Sequence, residues 1–246
     1  MMVSRKIRRA FVHECGENGT RCCENAFSYL ECMPPHEFDA IITDPPYQIG
    51  IAGQKWDSKP LPIDWLAYHF HRVLKPNGNV FVFCSDFQFV HWYTELSKYF
   101  TNLRKYAWCR SNPMGWIKGR FIESFELGLH ACGPDAYFDK SRPYRNHKVT
   151  GTCAGRERIK PDADEEKGKG KGQRSLHPTQ KPLELIEELV TALTDMGHLI
   201  LDPFSGTGTL AEAATKLGRR YAVVEFQYRY HRAASRRLKN HDLKST

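Results

Sequence analysis

Apolar positions along this chain fall into short runs and helical stripes that alternate. Phe38-Asp39-Ala40-Ile41-Ile42-Thr43 is short, apolar and rich in β-branched residues, which predicts a buried strand. Asp44-Pro45-Pro46-Tyr47 follows at once, and its two prolines end ladder pairing. Ile63, Leu66, Ala67, Phe70, Val73 and Leu74 have helical spacing, and Pro76-Asn77-Gly78 is expected to stop that helix. Val80-Phe81-Val82-Phe83-Cys84 then reads as the next buried strand, completing a strand–helix–strand unit. Pattern returns after Thr179. Pro182 suits a helix start, and Leu183, Ile186, Leu189, Val190 and Leu193 form the stripe. His198-Leu199-Ile200-Leu201 predicts a strand ending at Asp202. A helix carrying Leu210, Ala213, Ala214 and Leu217 follows, closed by Gly218. Tyr221-Ala222-Val223-Val224 is a further strand, ending at Glu225, and an amphipathic helix runs on to about Lys239. The alternation predicts an α/β fold with a doubly wound, mostly parallel sheet, in one domain over 1–246.

Residues 139–175 break the pattern. They hold Arg142, Arg145, His147, Lys148, Arg156, Arg158 and Lys160, then an acidic run and a Lys-Gly tract from Lys167 to Gly172. Without apolar periodicity this stretch is expected to be an inserted basic loop, either a target-recognition segment or a flexible one.

Composition narrows the partners. A net charge of +8 and a pI near 9.0 favour a polyanionic partner. The eight cysteines are scattered without any CxxC, so zinc-site spacing is absent and free thiols are expected. No apolar run follows the basic N-terminus, and none approaches the ~20 residues of a membrane span; a cytoplasmic protein with no membrane partner is expected.

Two constellations carry chemistry. Asp202-Pro203-Phe204-Ser205-Gly206-Thr207-Gly208-Thr209 joins a strand to a helix through a glycine turn. Glycines admit close backbone approach, and an acidic residue ending the next strand, here Glu225, would hold ribose hydroxyls. A nucleoside cofactor is indicated. GxxxxGK[ST] and GxGxxG are both absent, against a triphosphate P-loop and against a nicotinamide cofactor.

Asp44-Pro45-Pro46-Tyr47 is the second. The exocyclic amino group of a base is a poor nucleophile, because its lone pair is delocalised into the ring. An enzyme must accept hydrogen bonds from its N–H groups and let the nitrogen become tetrahedral. Asp44 offers a carboxylate acceptor, a carbonyl of the prolyl turn a second one, and Tyr47 a face for stacking, a role that needs only the ring. The competing reading is a stiff strand-end turn with Tyr47 in the core.

Ile41 to Tyr47, then His177-Pro178-Thr179-Gln180-Lys181-Pro182, then Asp202 to Thr209, resemble in content and order the β group of DNA amino-methyltransferases. The resemblance implies a Rossmann-like fold, S-adenosylmethionine as cofactor and DNA as partner. Its D-P-P-Y form implies transfer to N6 of adenine, with cytosine N4, or RNA or protein amide methylation, as alternatives within the enzyme class. A non-catalytic nucleic-acid-binding protein retaining the fold is the alternative of another class. By the resemblance Asp44, Pro45, Pro46 and Tyr47 form the catalytic turn. Asp202, Phe204, Ser205, Gly206, Thr207, Gly208 and Thr209 form the cofactor loop, with Glu225 on the ribose. His177, Thr179 and Lys181 lie beside the methionine end, Asp44 also faces the cofactor, and Asn25 stands where the family often has an aspartate near the adenine. Cytosine C5 chemistry needs a cysteine, typically after proline, and no cysteine here follows one.

DNA contact is expected from Arg142, Arg145, Arg156 and Arg158 on the insertion, and from Lys118 and Arg120. Trp108, Arg110 and Trp116 extend that edge, unless the tryptophans are core. Family members carry a longer target-recognition region or a C-terminal extension; a homodimer is expected to supply the missing surface.

Overall fold

The computed structural model describes residues 12–47, 60–113, 118–153, 159 and 179–242. Elements run β1 (Val12–Gly16), β2 (Gly19–Cys23), α1 (Ala26–Cys32), β3 (Phe38–Thr43), α2 (Ile63–Val73), β4 (Leu74–Cys84), α3 (Asp86–Leu96), β5 (Asn102–Arg110), β6 (Phe125–Cys132) and β7 (His147–Thr150). Then come α4 (Leu183–Leu193), β8 (Leu199–Asp202), α5 (Thr209–Lys216), β9 (Arg220–Val224) and α6 (Tyr228–Asp242). The strands form one sheet in the order β1-β2-β9-β8-β3-β4-β6-β5-β7. Only β1 and β6 run against the rest, so the doubly wound, mostly parallel expectation holds.

Strand alternation builds two cores, one on each face. Ile41, Val80, Val82, Leu201, Ala222 and Val224 face α1, α2 and α3. Ala40, Ile42, Phe81, Phe83, Ile200, Tyr221 and Val223 face α4, α5 and α6. The chain leaves β3 through α2 toward β4 and leaves β8 through α5 toward β9. The two crossovers diverge from neighbouring strands, so a crevice opens where β3 and β8 end, the usual ligand position in such sheets.

Several boundaries differ from the sequence expectation. Pro76-Asn77-Gly78 does not stop α2. Leu74 is already extended (φ −77, ψ 143) and pairs with Phe38, and the next partners are Ala40 and Asn79. The prolyl segment is therefore a bulge inside β4, a position that tolerates a residue without an N–H. Pro182 is the N-cap of α4 rather than a residue of its first turn, and α6 runs to Asp242. The stretch expected to be an inserted loop contains an edge strand, because His147–Thr150 pair in parallel with Ala107–Arg110. Arg156, Arg158, His177, Trp116 and the Lys-Gly tract lie outside the described residues. Among the described residues no helix is long and apolar enough to cross a membrane.

Candidate active site

A cleft of about 1000 Å³ opens at the carboxyl ends of β3, β8 and β9. It is lined by Asn25, by Asp44, Pro45, Pro46 and Tyr47, by Thr179 and Lys181, by Asp202 to Thr207, and by Thr209 and Glu225. Sequence positions 25 to 225 thus meet in one place because β2, β3, β8 and β9 all end there.

The end built by β8 and β9 is rich in backbone donors and carboxylates. Gly206 takes a positive φ of 51°, a conformation that favours glycine, and its N–H donates to Glu225 Oε2 at 3.0 Å. Gln227 N–H donates to Glu225 Oε1 at 2.6 Å. Burial outweighs these bonds and pushes the Glu225 carboxyl up to about 8. Asp202 Oδ1 accepts from Thr43 Oγ1 at 2.7 Å and from Phe204 N–H at 3.0 Å, which ties β8 to β3. Burial raises Asp202 to about 7. Asn25 caps α1, its Oδ1 accepting from Phe27 N–H at 2.8 Å, and it lines the cleft. Ser205 Oγ donates to Val224 O at 3.0 Å and holds the loop against β9.

Gly208 departs from its expected place in the cofactor loop. It does not line the cleft. It is the left-handed N-cap of α5 (φ 77°), and a Cβ there would stand 2.8 Å from Cβ of Ala234 on α6. Its backbone starts α5 and packs closely against α6.

The β3 end is organised around a buried ammonium. Lys181 keeps 5% side-chain exposure, and its Nζ lies 2.5 Å from Asp44 Oδ2 and 3.1 Å from Glu126 Oε2. It also donates to Tyr47 OH at 3.2 Å. The rings of Phe83, Tyr47 and Trp108 surround it at 4.9, 5.3 and 5.8 Å from their centroids. Burial alone would depress this ammonium, but Asp44 and Glu126 outweigh burial and hold it above its ordinary range. Burial raises Asp44, opposed by Lys181 and reinforced by Glu126. For Glu126 burial loses to Lys181 and Arg110, and the carboxyl is held low. Asp44 Oδ1 is shut off from solvent and has no hydrogen-bond partner among the described residues.

Lys181, expected beside the methionine end of the cofactor, lines the cleft and is bonded there to the carboxylate of the D-P-P-Y turn. Tyr47 was expected to need only its ring, yet its hydroxyl donates to Glu126 Oε2 at 3.1 Å. The turn itself is braced by α3, since Gln88 Nε2 donates to Pro46 O at 3.0 Å and Ser85 Oγ approaches Tyr47 O at 3.5 Å.

Glu126 was missed. Phe125–Cys132 drew no strand assignment from the sequence, and the available signal was an acidic residue at the head of an apolar run, which a buried strand keeps only with a partner. The expected DNA edge is divided. Trp108 is core, 3% exposed, its indole donating to Thr150 Oγ1 at 2.8 Å. Arg110 turns inward, to Glu126 Oε1 at 3.3 Å and Glu123 O at 2.6 Å. Lys118 and Arg120 are exposed on the β5–β6 connection, at the same end of the sheet as the cleft. Arg142 and Arg145 are exposed away from the cleft lining; Arg142 lies over the Tyr144 ring at 4.2 Å and 3.7 Å from Glu188, midway along α4.

Comparison with known proteins agrees with this arrangement. Residues 38–236 match the N6/N4 DNA methylase family profile. The chain is 30% identical over 241 residues to the Type II methyltransferase M2.DpnII of Streptococcus pneumoniae, covering 87% of each chain. It is 27% identical over 247 residues to the DNA adenine methyltransferase YhdJ of Escherichia coli strain K12, covering 87% of this chain and 80% of that one. Among solved structures, the M1.HpyAVI–SAM complex superposes with a TM-score of 0.64 at 25% identity, over 87% of this chain and 96% of the other. A profile match from β3 into α6, with the catalytic turn preceding the cofactor loop inside it, means that this chain belongs to the N6/N4 DNA methylase family.

Proposed function

We propose that the protein transfers a methyl group from S-adenosylmethionine to the N6 amino group of adenine in DNA. The observation that carries this reading is Asp44. One carboxylate oxygen is fixed by Lys181, and the other is buried without a partner among the described residues, on a side chain that lines the cleft. A buried acceptor left open is costly unless a substrate donor fills it. An amino N–H of an extruded base is such a donor, and Tyr47 lines the same cleft as a stacking partner. YhdJ is named a DNA adenine methyltransferase, which supports adenine over cytosine.

S-adenosylmethionine supplies an electrophilic methyl carbon. The residues fit it: the Gly206 turn allows close approach, and Glu225 and Asn25 line a cleft with volume for a nucleoside and its amino-acid arm. Asp44 accepts the amino hydrogen bond and draws electron density onto the nitrogen, and its negative charge stabilises the cation that forms there. We assign the cofactor roles to Asn25, Thr179, Asp202, Phe204, Ser205, Gly206, Thr207, Thr209 and Glu225. We assign phosphate contact to Lys118 and Arg120, and we place the enzyme in the cytoplasm as a homodimer. A sedimentation mass of 28.4 kDa for the free protein, with one chain per DNA in the complex, would refute the dimer.

The test is transfer of a labelled methyl group to unmethylated DNA followed by nucleoside analysis. N6-methyladenine is expected, and Asp44→Asn should lose at least ~100-fold in rate while still binding S-adenosylmethionine. Product as N4-methylcytosine overturns the adenine assignment, and full activity in Asp44→Asn overturns the site.

A further inference from the structure

We propose that Glu126 is a positioning residue of the transfer site: it holds Lys181 and the Tyr47 hydroxyl so that Asp44 stays a strong acceptor toward the amino group. This rests on the methyl-transfer reading above. An ammonium has three N–H donors, and Lys181 spends them on three acceptors: Asp44 Oδ2, Glu126 Oε2 and the Tyr47 hydroxyl oxygen. Glu126 is the one group that touches Lys181, Tyr47 and Arg110 together, with Oε2 shared by the first two and Oε1 taken by Arg110. It thereby links the turn after β3, the residue before the α4 cap and the end of β5.

The charges explain why a second carboxylate is useful. Asp44 and Glu126 are balanced by Lys181 and Arg110. Facing only Asp44, the ammonium would give its whole field to that carboxylate, which would become a weaker acceptor. Sharing Lys181 with Glu126 preserves the basicity of Asp44, and Arg110 limits the repulsion between the two carboxylates. Two further titratable groups act on the cluster. The Cys84 thiol at the end of β4 is pushed up to about 12 by burial and stays neutral, and Asp202 acts from β8. Neither touches Glu126, so the linkage runs through Lys181, Tyr47 and Arg110.

The variants are Glu126→Gln and Arg110→Gln, with opposite expectations. Removing the Glu126 anion makes both Asp44 and Lys181 more acidic, so both limbs of the pH profile of kcat move to lower pH, and kcat falls at least ~10-fold. Removing the Arg110 cation makes both less acidic, so both limbs move to higher pH. S-adenosylmethionine affinity by calorimetry stays within ~3-fold of the parent in each. A second readout needs no activity. The Glu126 carboxyl is held below its ordinary 4.5, so its stabilising effect is present above that value and lost as pH falls through the folded pKa. The stability gap between parent and Glu126→Gln therefore closes on acidification. Unmoved limbs in both variants, limbs moving the same way, or a gap that widens in acid would overturn the proposal. A parent enzyme that transfers no methyl group to DNA would instead remove the reading beneath it, and the stability readout would still report on Glu126.

Discussion

Lys181→Met isolates the buried cation. Methionine keeps an unbranched side chain of similar length, so the space among Tyr47, Phe83 and Trp108 stays filled and no large cavity opens. Only the charge and three donors are lost. Asp44 and Glu126 then face each other in a site where the lysine they bracket is 5% exposed. Removing one partner of a buried ion pair costs about 3–5 kcal/mol, against the ~0–1 kcal/mol of an exposed pair. The pH dependence has a definite sign. Without the cation both carboxyls ionise less readily when folded than when unfolded. Carboxyls with raised folded pKa values contribute stability below the unfolded values and lose it as pH rises. In the parent, Glu126 behaves in the opposite way, because its folded pKa is lowered. Glu225 is raised in both proteins and cancels in the difference, while Asp202, which Lys181 helps to hold down, rises further in the variant and moves the gap the same way. The parent-minus-variant gap is therefore largest near neutrality and shrinks toward acid. Urea unfolding of the ligand-free proteins at about pH 7.5 and about pH 5.5 measures it. A gap under about 1 kcal/mol at the higher pH, or one that grows in acid, would refute the buried-clamp reasoning.

Three further outcomes are expected. Asp202, 7% exposed, is raised from 3.8 to about 7, so its ionisation costs stability as pH rises between those values. Asp202→Asn should be more stable than the parent above about pH 8, by ~1–3 kcal/mol in urea unfolding, and should lose the thermal shift that S-adenosylmethionine gives the parent. Gly208→Ala strains a residue at φ 77° and sets a Cβ 2.8 Å from Ala234. It should cost ~1–3 kcal/mol of stability in thermal unfolding and leave cofactor affinity within a few-fold, because Gly208 does not line the cleft. Neutralising Lys118 and Arg120 together should reduce the slope of log K against log salt by about 2 in DNA titrations. Neutralising Arg142 and Arg145 should leave the slope near that of the parent.

Legibility followed how local each cause is. Strands β3, β8 and β9 could be read because both of their faces are buried, so a short apolar run has few other ways to be satisfied. The β1–β2 hairpin could not be read. In β2 polar and apolar residues mix, with Arg21 buried beside Cys22, and pairing with β9 rather than local pattern holds it. The Pro-Asn-Gly after α2 misled for a related reason: a breaker marks where regular hydrogen bonding stops, and a strand bulge stops it as well as a helix end does. The D-P-P-Y turn and the glycine loop were legible as parts of one cleft because each packs its turn geometry and its polar groups into consecutive residues. The clamp was not, because Lys181 reaches Asp44 across 137 positions and Glu126 meets Tyr47 across 79. No periodicity encodes such a meeting. What the chain does record is that Glu126 and Lys181 border apolar elements, where an unpaired charge is expensive. A charge tolerated in such a place needs an opposite one, and the sheet topology supplies it by ending β3 and starting β6 and α4 at the same end. The pairing is therefore a consequence of the fold, and it occupies Oδ2 of Asp44 while Oδ1 keeps no partner among the described residues.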